Sequence, residues 1–159
     1  MPLEKDLLET AQRLLQPRNR RGRPRQADLR RATSTAYYAV FHALCRLCAV
    51  SLIGTRKNTR NAWRQVYRAV EHGSTKKQCA AKLLEDRGFP PPVRDFCAAF
   101  VQLQEKRHKA DYDPSAKFRV KDVEQDIEMA EEAIEAISNQ NLSLEHRRAF
   151  AVWILLRTR

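Results

Sequence analysis

Gln26-Ala-Asp-Leu-Arg-Arg-Ala-Thr-Ser-Thr-Ala-Tyr-Tyr-Ala-Val-Phe-His-Ala-Leu-Cys-Arg-Leu-Cys-Ala-Val-Ser-Leu-Ile53 decides the fold. The stretch contains neither proline nor glycine, and its apolar residues recur at spacings of three and four, which predicts one long helix. Ala32, Ala36, Val40, Ala43 and Leu47 mark one side of that helix, while Tyr37, Phe41, Leu44 and Cys48 mark an adjacent one. A helix apolar over more than half its circumference must be covered on several sides, so it is the central helix of a bundle. Gly54 is a suitable stop residue.

Working outward, the same period predicts a helix over residues 3–16 with Leu7, Leu8, Ala11, Leu14 and Leu15 as its apolar stripe, ended by Pro17. Residues 18–25 form a polar connector. Two shorter helices are expected near 59–71 and 75–85, divided by Gly73-Ser74, with Ser74 as an N-cap. After Pro90-Pro91-Pro92 comes a helix over 93–111 that carries Val93, Phe96, Phe100 and Leu103 on one face. Val123, Ile127, Ala130, Ile134 and Ile137 form the buried stripe of the next helix, 119–138, whose acids project outward. A final apolar helix over 144–157, capped by Ser143 or Asn141, packs on the bundle or on another subunit. The expectation is an all-α, up-and-down helical bundle in one domain, residues 1–159, with its core in 3–138 and an additional C-terminal helix.

No run of about 18 apolar residues is present, so no membrane span is expected. The N-terminus Met1-Pro2-Leu3-Glu4-Lys5-Asp6 lacks the apolar segment of a secretory signal, which points to the cytoplasm. Cys45, Cys48, Cys79 and Cys97 all fall within apolar helical stretches and act as small core hydrophobes in a reducing compartment. His42, Cys45 and Cys48 repeat every three residues, but a closed zinc site needs a fourth ligand and its usual partner pair is absent. Neither a metal nor a cofactor is expected.

The formal charge is +11, with 30 basic against 19 acidic residues, and a surplus of that size favours an anionic partner. Its distribution is uneven. Arg18, Arg20, Arg21, Arg23, Arg25, Arg30 and Arg31 are accompanied by one acid, Asp28, whereas residues 122–135 carry seven acids. The seven arginines are candidate nucleic-acid contacts, RNA-binding residues on a family resemblance, while residues 18–25 also read as a solvated loop.

Glu105-Lys-Arg-His-Lys-Ala-Asp-Tyr-Asp-Pro114 closes the fifth helix. Arg107 follows Phe100 by seven residues and so continues the inward face, and Asp111 lies one turn further on the same stripe. Guanidinium and carboxylate are aimed inward within pairing reach, and charges placed there need partners. An inward Arg107–Asp111 ion pair that fixes the helix end is the plainest consequence. One hydroxyl of Tyr37 or Tyr38 is a candidate to point into the same cleft.

Arg30-Arg-Ala-Thr-Ser-Thr-Ala-Tyr-Tyr-Ala-Val-Phe-His-Ala-Leu44 and Arg107-His-Lys-Ala-Asp-Tyr-Asp-Pro114 together resemble the two signatures of a subgroup of the HEPN family (higher eukaryotes and prokaryotes nucleotide-binding). With the connecting helices the resemblance covers residues 3–138 and leaves the final helix outside. It implies a four- or five-helix bundle that forms a homodimer with the polar motifs in a shared cleft. It further implies a metal-independent endoribonuclease of toxin or defence type, often paired with a nucleotidyltransferase-type antitoxin. Members place a histidine four to six residues after the arginine, because a base must take the ribose 2′-hydroxyl proton while a cation stabilises charge at phosphorus.

Here Asp111-Tyr112-Asp113 occupies the histidine's place, and the nearby histidine is His108. The candidate catalytic residues are therefore Arg107, His108, Asp111 and Tyr112. A carboxyl ordinarily titrates near about 3.9 and a tyrosine near about 10, both far from neutrality. His108 has a suitable range but is turned about 100° from Arg107. Three readings follow: a HEPN-type endoribonuclease; a non-catalytic HEPN module that binds RNA or a nucleotidyltransferase; and a DNA-binding helical domain led by residues 18–31, which lacks a readable recognition helix.

Overall fold

The computed structural model describes residues 1–17 and 22–156. Its elements are α1 (Leu3–Leu14), α2 (Gln26–Ile53), a 3-10 turn (Lys57–Thr59), α3 (Arg60–Ala69), α4 (His72–Gln78), α5 (Ala81–Asp86), α6 (Pro91–Tyr112), α7 (Val120–Ala136) and α8 (Leu144–Leu155). The chain is an all-α bundle, with no strand among the described residues. The long central helix has the bounds that the periodicity predicts. It packs against α1, α3, α6, α7 and α8.

Cross-helix contacts give the helix directions. Arg30 reaches the Ala110 carbonyl while Tyr37 stacks on Phe100, so α2 and α6 run antiparallel. Glu4 meets Arg46 and Gln12 meets Glu131, which sets α1 against both α2 and α7. Lys106 meets Asp126, placing the end of α6 beside the start of α7. These four helices form the up-and-down bundle. Its centre is aromatic and aliphatic, with Tyr37, Val40, Leu44, Val93, Phe96, Phe100, Leu103, Val123 and Phe150 all at 0% exposure.

By length and composition α2 could cross a membrane, but 67% of its apolar window is buried inside the bundle. Packing accounts for that apolarity. All four cysteines are buried, as core residues should be.

Three local expectations need correction. The helix expected over 75–85 is two helices broken at Cys79-Ala80, and Ser74 lies inside α4 and donates to the Glu71 carbonyl instead of capping it. The break lets α4 end against α8, where the Trp153 indole donates to the Gln78 carbonyl and the Gln78 amide donates back to the Trp153 carbonyl, both at 2.9 Å. The acids of α7 do not all face outward: Asp126 is 3% exposed, held by Lys106 of α6 and by the Thr33 hydroxyl at 3.2 Å. Buried Glu4 is similarly held by Arg46 at 2.5 Å, so each inward carboxylate has a cation to offset its desolvation. Elsewhere the reading stands. Gly54 ends α2 at φ +84°, a region that favours glycine, and Ser143 caps α8 by accepting from the His146 amide at 3.2 Å.

Phe100→Ala empties the aromatic centre shared with Tyr37 and Phe96. It is expected to cost about 3–5 kcal/mol in urea unfolding; a loss under about 1 kcal/mol would show that this centre is not the core.

Candidate functional site

The site is built where two polar stripes meet. On α2, Arg30, Ser34 and Tyr38 recur every fourth residue and lie on one face. On α6, Arg107 and Asp111 do the same beside the helix's last carbonyls. Because the helices are antiparallel, the stripes pair residue by residue. Tyr38 accepts from an Arg107 terminal nitrogen at 2.8 Å, Ser34 donates to Asp111, and Arg30 donates to the carbonyls of Ala110, Asp113, Pro114 and Ala116.

Arg107 Nε lies 2.8 Å from an Asp111 carboxylate oxygen, the inward pair expected from the sequence. The Nε–H is not directed at that oxygen and has no hydrogen-bond acceptor, so the contact is a charge pair and a donor is left over. The guanidinium also lies over the rings of Tyr38, Tyr112 and Tyr37, at 5.4, 5.8 and 6.0 Å from their centroids. Burial alone would favour its neutral form, but the Tyr38 hydroxyl and the Asp111 carboxylate outweigh that and raise its pKa. It is a permanent cation. With 21% of its side chain exposed, it can still meet an anion arriving from solvent.

The other candidates divide. His108 is exposed and packs its ring on Tyr112 at 4.8 Å, and Tyr112 is itself 64% exposed. Tyr112 is thus in contact with both His108 and the guanidinium. Of the seven arginines, Arg30 is committed to the end of α6, where it also covers the Phe118 ring at 5.3 Å. Its charge serves the helix end. Arg25 pairs with Asp28 at 3.0 Å, while Arg23 and Arg31 are exposed. Arg18, Arg20 and Arg21 lie outside the described residues.

A histidine that the sequence did not single out stands beside the cluster. His72, the first residue of α4, places Nδ1 2.5 Å from the Tyr37 hydroxyl and stacks on Phe41 with centroids 3.8 Å apart. Of the two α2 tyrosines, Tyr38 therefore serves Arg107 and Tyr37 serves His72. Burial lowers the His72 pKa, and the positive Arg107 and neighbouring His42 lower it further. No local spacing could have revealed this contact, because it joins positions 35 residues apart through the fold. Gln104, one turn before Arg107, donates to the His72 carbonyl at 3.2 Å and leaves its own buried carbonyl oxygen without a partner.

His42 does not join its cysteines in a ligand set; its Nδ1 lies 2.7 Å from the Tyr67 hydroxyl. Among the described residues no group of three or more histidines, cysteines or acids is placed to hold a metal. No family model matches the sequence, and neither a curated protein nor a solved structure matches the chain.

The folded state holds the His72 pKa below its ordinary 6.5. The stability contributed by the neutral ring is thus complete above that pH and is lost as the pH falls below it. Urea unfolding of wild type and His72→Gln between pH 7.5 and 5 is expected to show a shallower acid-side loss in the variant. Parallel profiles would show that His72 titrates normally.

Proposed function

We propose that this chain is a HEPN-type protein of toxin–antitoxin or defence type that cleaves RNA without a metal, using Arg107 to stabilise charge at phosphorus. One observation carries the reading. The two stretches that resemble the HEPN signatures are far apart in sequence, yet they face each other, with the Arg107 guanidinium 2.8 Å from the Tyr38 hydroxyl at the rim of the bundle. A partly exposed permanent cation suits the phosphoryl oxygens of a strained intermediate. The orienting groups, Tyr38 and Asp111, hold it at the cost of only part of its donor set.

The proton-transfer role is open to two groups. His108 is exposed and packs on Tyr112; the Asp111 carboxylate contacts Arg107 but is also committed to Ser34. In a homodimer the exposed His108–Tyr112 edge of one protomer would face the polar rim of the other. A nucleotidyltransferase-type antitoxin would act on the same edge.

The second reading, a non-catalytic module that binds RNA or a nucleotidyltransferase, is favoured by the zipper itself. Ser34, Tyr38, Arg107 and Asp111 satisfy one another as a structural clasp would. The two readings part at Arg107→Ala. The nuclease reading expects single-stranded RNA to be cut in the presence of a chelator, leaving 2′,3′-cyclic phosphate ends. It expects Arg107→Ala to lower that rate by at least about 100-fold while melting within a few degrees of wild type. Intact RNA across pH 5–9 with the wild-type protein would remove it.

A further inference from the structure

Among the described residues, a dense positive surface without ion pairs lies where α2 turns into α3. Arg56, Lys57, Arg60, Arg64 and Arg68 are all exposed, residues 55–70 contain no acid, and none of the five cations is in an ion pair among the described residues. Arg60, Arg64 and Arg68 recur every fourth residue and form one stripe of α3. The reversal of the chain at Gly54 brings Arg56 and Lys57 to the head of that stripe.

Between the two lies a cleft of about 720 Å³ that Arg56, Lys57 and Arg60 line together with Val50, Gly54 and Trp63. Tyr67 stacks on Trp63 with centroids 4.9 Å apart and planes 26° from parallel. Tyr67 covers one indole face, and Trp63 is part of the cleft wall while Tyr67 is not. A flat ring framed by unpaired cations is the arrangement that receives a nucleobase and its phosphates.

The cleft also connects to Arg107. Tyr67 stacks on His42 at 5.9 Å, His42 meets Phe41 at 5.7 Å, Phe41 stacks on His72 at 3.8 Å, and His72 meets Tyr38 at 6.2 Å. Tyr38 lies under the Arg107 guanidinium. Apart from Phe41, which is 9% exposed, each of these rings is partly open to solvent. An aromatic path with polar edges thus joins the basic cleft to the candidate site.

We propose that this surface is a track for a single-stranded polynucleotide, entered with a base stacked on Trp63 and phosphates on Arg56, Lys57 and Arg60, and leading to Arg107. Cleavage at its end rests on the function proposed above; binding along it does not. A duplex is excluded from the entry because its bases are already stacked on each other and cannot reach the indole.

The test is fluorescence anisotropy with a labelled 12-nucleotide oligouridylate, its DNA counterpart, and a blunt duplex of equal length, titrated onto the full chain. Arg56→Glu/Arg60→Glu is expected to weaken single-strand binding at least tenfold and to flatten its salt dependence. Each lost phosphate contact removes about 0.7 from the log–log slope for single strands. Trp63→Ala is expected to cost a further fivefold or more, with circular dichroism reporting that α3 is intact. Lys82→Glu/Arg94→Glu, exposed on α5 and α6, removes the same charge and is expected to leave affinity within about twofold.

Equal loss in the two charge-reversal variants would overturn the proposal in favour of bulk charge, and so would duplex binding as tight as single-strand binding. Weaker RNA than DNA binding would assign the track to single-stranded DNA. Binding at this face by a wild-type chain that cuts no RNA would remove the nuclease reading and leave the track standing. Cleavage that survives both cleft variants unchanged would remove the track and leave the nuclease.

Discussion

The antiparallel contact between Arg30, Ser34 and Tyr38 on α2 and the last two turns of α6 is the constraint on which the rest depends. Arg30 donates to four carbonyls that the end of α6 and its following loop would otherwise leave to water, since the last carbonyls of a helix have no donor within it. That clamp fixes the axial register of the two helices. With the register fixed, Ser34 falls opposite Asp111 and Tyr38 opposite Arg107, and the candidate site assembles one helical turn at a time. A half-buried guanidinium becomes tolerable because a carboxylate and a hydroxyl oxygen share it, and useful because they do not use all of its donors.

Burial sorts the charges of this molecule into two kinds. Glu4 with Arg46 and Asp126 with Lys106 are inward carboxylates held by cations whose side chains remain 47% and 41% exposed. Such pairs join helices, α1 to α2 and α6 to α7. Burial raises the Asp126 pKa, and the Lys106 ammonium only partly reverses this. Arg107 has the opposite arrangement. There the Nε of the cation is buried, while 21% of its side chain stays exposed beside the rings of Tyr38 and Tyr112. The difference separates a site from a staple in a chain with many charge pairs.

What could be read in the sequence was what depends on local spacing. The bounds of α2 follow from an uninterrupted apolar period ended by Gly54, and the Arg107–Asp111 pair follows from a spacing of four on an inward face. Contacts between distant segments were not legible. Arg30 reads as one of the candidate RNA-binding arginines, and only the approach of α6 makes it a clamp. Asp126 looked like one more outward acid until Lys106 and Thr33 closed over it. His72 had no periodic neighbour to mark it, since its partners Tyr37 and Phe41 belong to another helix. The cations of α3 escaped notice because they are spread through a helix and become dense only beside the turn after Gly54.

The central claim, that Arg107 is poised to receive an anion and is not merely a strut, can be tested at its own Nε–H. In a ¹⁵N–¹H spectrum of the guanidinium groups, the Arg107 signal can be assigned by its loss in Arg107→Lys and followed while a non-cleavable 2′-deoxy oligonucleotide is added. The expected result is a saturable shift of that signal, because a phosphate that meets the exposed part of the guanidinium changes the surroundings of its Nε–H. A signal that stays fixed while the oligonucleotide demonstrably binds elsewhere on the chain would contradict the account and leave Arg107 as part of the clasp between α2 and α6.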